Sequence, residues 1–135
     1  MLLLLATLRF RLEPRLESAG ITLHWEVSEV PKLDWLDPRN SLHILRILQE
    51  AFANILKHTR ASAIRVTTAA ADGCVSVTIA DNGAGFDVTL AQRGGGIGLS
   101  NQRRRAEAIG GEVVIESSSS GTWLTLRLPQ TRQPG

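Results

Sequence analysis

Three short stretches of this chain carry side chains and glycines that chemistry can use. In the first, residues 49–58, Glu50, Lys57 and His58 stand at −4, +3 and +4 from Asn54. On a helix all four share one side. An amide oxygen such as that of Asn54 suits Mg²⁺, which takes few protein ligands, prefers oxygen and leaves its other positions to phosphates and waters. Lys57 can bring a point charge to a phosphate. The same pattern also describes a helix face that is simply solvated.

The second stretch is Asp81-Asn82-Gly83-Ala84-Gly85-Phe86-Asp87. A carboxylate at the end of an apolar run can accept a hydrogen bond from an exocyclic amine such as that of adenine. Gly83 and Gly85 let the backbone pass close to a flat ring or take a positive φ. An Asx-type turn would use the same residues. The third stretch is Gly94-Gly95-Gly96-Ile97-Gly98-Leu99, which opens a helical pattern. Backbone amides in such a turn, aimed along a helix N-terminus, hold anions. It lacks the Gly-Lys-Ser/Thr ending of a P-loop, and no Rossmann spacing follows a strand. A flexible loop is the plain alternative. Each motif alone is weak. In this order, with Gly121-Thr122 before a last strand, they read as a metal ligand, a base acceptor and a phosphate loop, and so as an ATP site.

The elements that must position these residues follow from periodicity. Leu5, Leu8, Leu12 and Leu16 fall at helical spacing. Pro14 predicts a kink or an early stop, and the apolar face of this helix is expected to pack against neighbours beyond the chain. Residues 21–27 alternate strictly, as a half-buried strand does, with His24 on the polar face. Asp37-Pro38 is an N-cap followed by proline at the first helical position. The helix it opens runs to about His58, with Leu45, Leu48, Phe52 and Ile55 on one face. Strands over 63–69 and 74–80 are joined by a turn at Asp72-Gly73. A helix over 99–109 stops at Gly110-Gly111. Strands over 112–116 and 123–128 form a terminal hairpin, and the polar tail from Gln130 is expected to fray. Residues 81–98 hold six of the twelve glycines, and so long an irregular stretch in a small domain is usually functional.

Composition narrows the classes. At 135 residues the chain suffices for one compact domain. Thirteen arginines and two lysines against thirteen acids leave a net charge of +2, too small an excess to argue for nucleic acid. The single cysteine, Cys74, excludes an internal disulfide and reads as a buried reduced thiol. No Cys/His spacing suggests zinc. The apolar run 1–8 is far shorter than the roughly 20 residues of a membrane span, and its basic residues follow it, unlike those of a signal peptide.

Together the three stretches resemble the ATP-binding catalytic domain of bacterial sensor histidine kinases, a family shared with DNA gyrase B, Hsp90 and MutL. Glu50-x-x-x-Asn54 matches its N box, Asp81-x-Gly83-x-Gly85 its G1 box and Gly96-x-Gly98-Leu99 its G2 box. The Gln49-Glu50 and Lys57-His58 pairs and the run 98–111 look most like the nitrate-sensor and desaturase-regulator subgroup. The resemblance covers about residues 5–129. It implies an α/β two-layer sandwich, a mixed and mostly antiparallel sheet with helices on one face. It implies a linker helix over 1–19 from a dimerisation domain outside this chain, a catalytic domain over 20–129 and a tail over 130–135.

By the same resemblance Asn54 binds Mg²⁺, and Asp81 holds the adenine amine beside Gly83 and Gly85. Gly96 and Gly98 face the phosphates, Ile97 and Leu99 belong to the same ATP site, and Lys57 and His58 approach the phosphates or sugar. Thr122 supports Asp81, and residues 86–95 form a lid. Glu50 stands where the gyrase-like ATPases keep their general base, so Glu50 and Lys57 are the candidates for a catalytic role. Gln102 stands where a methionine is common, a change expected to alter packing only.

The histidine that receives phosphate in these kinases sits in a motif like Glu-Leu-His-Asp, and none of His24, His43 or His58 has that context. The expected partners are therefore a histidine-bearing dimerisation domain and, through it, a response regulator, with no nucleic acid or membrane contact. A monomeric cytoplasmic domain, of a parent anchored in the inner membrane, fits that picture. Two other classes share the boxes: an anti-sigma-factor serine kinase, and an interaction domain with a vestigial nucleotide site.

Overall fold

A computed structural model describes residues 2–31, 33–58, 61–83, 99–118 and 121–131, without the side chains of 2, 3, 55, 57, 58, 99–101 and 118. The elements run α1 (Leu2–Ser18), β1 (Thr22–Glu26), α2 (Pro38–His58), β2 (Ala63–Ala71), β3 (Cys74–Asp81), α3 (Leu99–Ala108), β4 (Glu112–Ser118) and β5 (Gly121–Pro129). The five strands form one mixed sheet in the order β1-β2-β3-β5-β4. Only β1 and β2 are parallel, joined by the crossover helix α2; the other pairs are antiparallel. This is the expected α/β sandwich. Val75, Val77 and Ile79 of β3 are buried, whereas the alternating residues Ser76, Thr78 and Ala80 are only half-buried, so the helices cover one face.

Local chemistry explains the boundaries. Asp37 Oδ1 accepts a hydrogen bond from the Asn40 amide at 2.7 Å, the capping bond that Asp37-Pro38 foretells. Asp72 and Gly73 both have positive φ, 53° and 74°, as a two-residue hairpin between β2 and β3 requires. Behind α3, the Gly111 amide donates to Ala106 O at 2.8 Å and the Gly110 amide to Glu107 O at 3.0 Å. Those two bonds close the helix as a Schellman motif. The core on the covered face includes Ile44, Ile47, Leu48 and Phe52 of α2 and Ile64, Val77, Ile79 and Leu126 of the sheet.

Four expectations change. Pro14 does not stop or break α1, which continues to Ser18. Pro14 and Phe10, whose carbonyl loses its partner, both lie on the exposed side where water can replace the missing bond. The apolar face of α1 is not left for outside neighbours, because Leu5, Leu8, Leu12 and Leu16 are 0–4% exposed within this chain. Burying one leucine is worth about 2 kcal/mol, so α1 belongs to the core. Cys74 is half-buried at the start of β3 rather than enclosed. Gln130 is not frayed: its amide donates to Gly73 O at 2.8 Å and its carbonyl accepts from the Asp34 amide at 3.2 Å.

Candidate nucleotide site

Asp81 is the last residue of β3, paired with Ile64 on one side and Thr122 on the other. It sits one step inside the strand rather than after it. Strand alternation turns its side chain to the helix-covered face, with Val75, Val77 and Ile79, and leaves Asp81 only 5% exposed. Its Oδ1 accepts from the Gly83 amide at 2.7 Å. Its Oδ2 is buried and has no hydrogen-bond partner among the described residues. The Asx turn and the base acceptor are thus not rivals: one oxygen makes the turn and the other stays open. Burial pushes the Asp81 carboxyl above its usual range, and the backbone amides of Gly83 and Thr122 offset part of that rise. A buried carboxylate oxygen without a donor is costly. It fits a ligand that brings an N–H of its own.

The strand opposite is shaped to this carboxylate. Gly121 has φ +149°, and a Cβ there would collide with the Asp81 carbonyl oxygen. Only glycine lets β5 start so close. Thr122, 5% exposed, lies directly across from Asp81, but its hydroxyl pairs with Ser117 Oγ at 3.0 Å. Its support for Asp81 therefore comes from the backbone. Sequence reasoning missed Asn82. Its Oδ1 accepts from the Ser62 and Ala63 amides at 2.9 and 3.0 Å, which holds the chain as it leaves β3. No local pattern signals this role, because the two amides come from residues 20 and 19 positions away in the chain.

On α2, Glu50 and Asn54 are half-buried on the same helix side. Asn54 does make polar contact. Glu50 is engaged, its Oε1 lying 3.5 Å from Arg105 Nη2 of α3. The backbone of Lys57 and His58 forms the last turn of α2, and their side chains lie outside the described atoms. Leu99 begins α3. Gly85, Gly96, Ile97 and Gly98, and the expected lid over 86–95, lie outside the described residues. Among the described residues, then, Asp81, Gly83 and Thr122 are brought together, and Glu50 and Asn54 share a helix side tied to α3.

A trough of about 570 Å³ crosses the opposite, open face of the sheet, floored by Arg65, Thr67, Thr78 and Ala80 and walled by Trp123. It reaches Asp81 and Asn82 only at one end. The Asp81 side chain points the other way, with Val75, Val77 and Ile79, so this trough does not belong to its carboxylate. Among the described residues no group of three or more His, Cys, Asp or Glu could hold a metal.

Comparison with known proteins now decides the family. The model of the histidine kinase-, DNA gyrase B- and HSP90-like ATPases matches residues 39–132. The chain belongs to that family. It is 32% identical over 125 residues to the sensor histidine kinase MctS of Rhizobium johnstonii, covering 91% of this chain and 25% of MctS. To the nitrate/nitrite sensor protein NarX of Escherichia coli it is 34% identical over 129 residues, covering 87% of this chain and 21% of NarX. The expected nitrate-sensor subgroup is thereby supported, and the chain is a histidine-kinase catalytic domain.

Solved structures agree on the fold. The catalytic domain of histidine kinase ThkA superposes with a TM-score of 0.77 at 19% identity, covering 97% of this chain and 93% of that one. Full-length ShkA, solved in complex with AMPPNP, gives a TM-score of 0.76 at 28% identity, covering 93% of this chain and 29% of ShkA. The chain spans about a quarter of the length of the curated relatives it matches. Among the described residues no helix is long and apolar enough to cross a membrane.

Proposed function

We propose that this domain binds ATP with Mg²⁺ and presents the γ-phosphate to a histidine on a dimerisation domain outside this chain. One observation carries the reading: the buried Asp81 has one oxygen committed to the Gly83 amide and the other without a donor among the described residues. An adenine amine completes that oxygen's bonding. Gly83 and the Thr122 backbone set the carboxylate's orientation. Asn54 supplies an oxygen to the metal, whose chemistry is to neutralise phosphate charge. Lys57 and His58, in the last turn of α2, are assigned to the phosphates or sugar. The amides of residues 94–98, leading into α3, are assigned to the phosphates. Lys57 supplies the positive charge at the transferring group.

Phosphoryl transfer asks a protein mainly for positioning and charge neutralisation. The chain's own residues supply both, but not the acceptor. Glu50 is paired with Arg105, and we assign it no role as a base in transfer. The partner domain, the response regulator downstream of it and the attachment of the parent protein belong to this same proposal. The test mixes the domain with ATP, Mg²⁺ and a candidate dimerisation domain. Acid-labile phosphohistidine on that domain is the expected product. Phosphoserine on an antagonist protein instead would mark an anti-sigma-factor kinase.

A further inference from the structure

The sheet ends in two edge strands, β1 and β4. One side of β4 pairs with β5 over its whole length, and the other meets no strand among the described residues. Alternate residues of an antiparallel strand aim their backbone N–H and C=O groups away from the paired neighbour. On an edge those groups are a template for another extended chain. At seven residues β4 is the longer of the two edges, and it contains no proline.

An added strand sends its side chains alternately to the two faces of the sheet, and β4 has a hollow on each. On the helix-covered side a groove of about 330 Å³ runs between α3 and the strand, lined by Arg103, Glu107 and residues 111–115. On the open side a hollow of about 240 Å³ lies between Val114 and Trp123. Those two side chains are 37% and 40% exposed, large apolar groups left uncovered on one face.

Glu112, Val114 and Glu116 alternate along β4 on that open face, and all three are exposed. Neither carboxylate is in an ion pair among the described residues, although Arg127 stands across from Glu112 in β5. The edge therefore presents acid, apolar, acid at two-residue spacing. Opposite charges and apolar pairs stabilise facing positions of neighbouring strands, and like charges repel. A second copy of β4 set antiparallel about Val114 would place each Glu112 against the other copy's Glu116. A basic segment meets no such repulsion.

We propose that β4 is a docking edge for an extended segment of a partner protein with a basic, an apolar and a basic residue at alternate positions. The segment joins the sheet beside β4. Main-chain hydrogen bonds supply affinity, and alternate side chains supply specificity. Its apolar side chain lies by Val114, at the hollow walled by Trp123, and its basic side chains lie opposite Glu112 and Glu116. None of these residues is assigned to the nucleotide, so the inference stands apart from the nucleotide reading.

The test titrates the isotope-labelled chain, observed by two-dimensional NMR, with the end-blocked peptide Thr-Lys-Thr-Val-Thr-Lys-Thr at up to about 1 mM. Shifts are expected along residues 111–118 and at Trp123, with slower amide exchange on the outer side of β4. Glu112→Lys combined with Glu116→Lys changes only exposed side chains. It is expected to weaken this peptide roughly tenfold and to favour Thr-Glu-Thr-Val-Thr-Glu-Thr instead. A further arm needs only the wild-type chain. Of two basic peptides N-methylated at successive central residues, one should lose binding by at least about tenfold and the other keep it, because only alternate amides face β4.

No shifts with the basic peptide, or shifts that avoid β4, would overturn the inference. So would undiminished binding by the charge-reversed variant, or an equal response to the two methylated peptides. Protection of β4 that grows with protein concentration before any peptide is added would give the edge to a second copy and overturn it as well.

Discussion

At the residue scale the domain turns on a carboxylate that folding does not fully satisfy. Burial raises the pKa of Asp81 above the ordinary 3.8. The folded state therefore holds that proton more tightly than the unfolded state does. Stability contributed by the protonated form is complete below the unfolded value. It is lost as pH rises through the folded one. At neutral pH the carboxylate is a standing cost, which the proposed adenine contact would offset. Asp81→Asn is accordingly expected to melt at or above the wild-type temperature at pH 7. The same change should weaken adenosine by roughly 10- to 100-fold, the worth of a charged hydrogen bond; a lower melting temperature would contradict the account. Wild-type adenosine affinity should itself fall as pH drops through the raised Asp81 value. Across the strand pair, Gly121→Ala forces a Cβ onto the Asp81 carbonyl at a φ that alanine resists. A loss of about 2–3 kcal/mol in chemical denaturation is expected, with weaker adenosine binding beside it.

At the scale of elements, the sequence was most readable where one local rule acts alone. Asp37-Pro38 capped α2, Asp72-Gly73 turned the β2–β3 hairpin, and Gly110-Gly111 ended α3, each at the foretold place. Where tertiary contacts decide, local rules misled. Pro14 reads as a kink or an early stop, but α1 continues past it to Ser18 with four of its leucines buried. Gln102 read as a matter of packing, yet it bonds the backbone of α2, a fact no single-sequence pattern contains. The half-satisfied state of that buried amide gives a prediction of its own. Gln102→Met should raise the midpoint in thermal melting, equivalent to about 1 kcal/mol. A lower midpoint would show that the bond to the Ile47 carbonyl outweighs the unpartnered oxygen.

At the scale of the molecule, motif order carried the family and the sandwich. Pairing and register, which depend on contacts far apart in the chain, had to come from the structure. Asp81, Gly83 and Thr122, which the structure brings together, were legible as residue types. Which oxygen of Asp81 stays open, and that the Thr122 hydroxyl faces Ser117, were not. The structure also redraws the role of the first helix. Since Leu5, Leu8, Leu12 and Leu16 are buried against the rest of this chain, deleting residues 1–19 should lower the melting temperature by at least about 10 °C or abolish the cooperative transition. A truncated domain that melts like the full chain would show α1 to be a detachable linker.

The division of labour at the site is tested most directly by one titration series. ATP is titrated into wild type, Asn54→Ala and Asp81→Asn, with and without Mg²⁺. The account predicts that Asn54→Ala loses the Mg²⁺-dependent share of affinity and keeps the rest. It predicts that Asp81→Asn loses affinity equally with and without metal. Wild-type affinity in both variants, under both conditions, would contradict it.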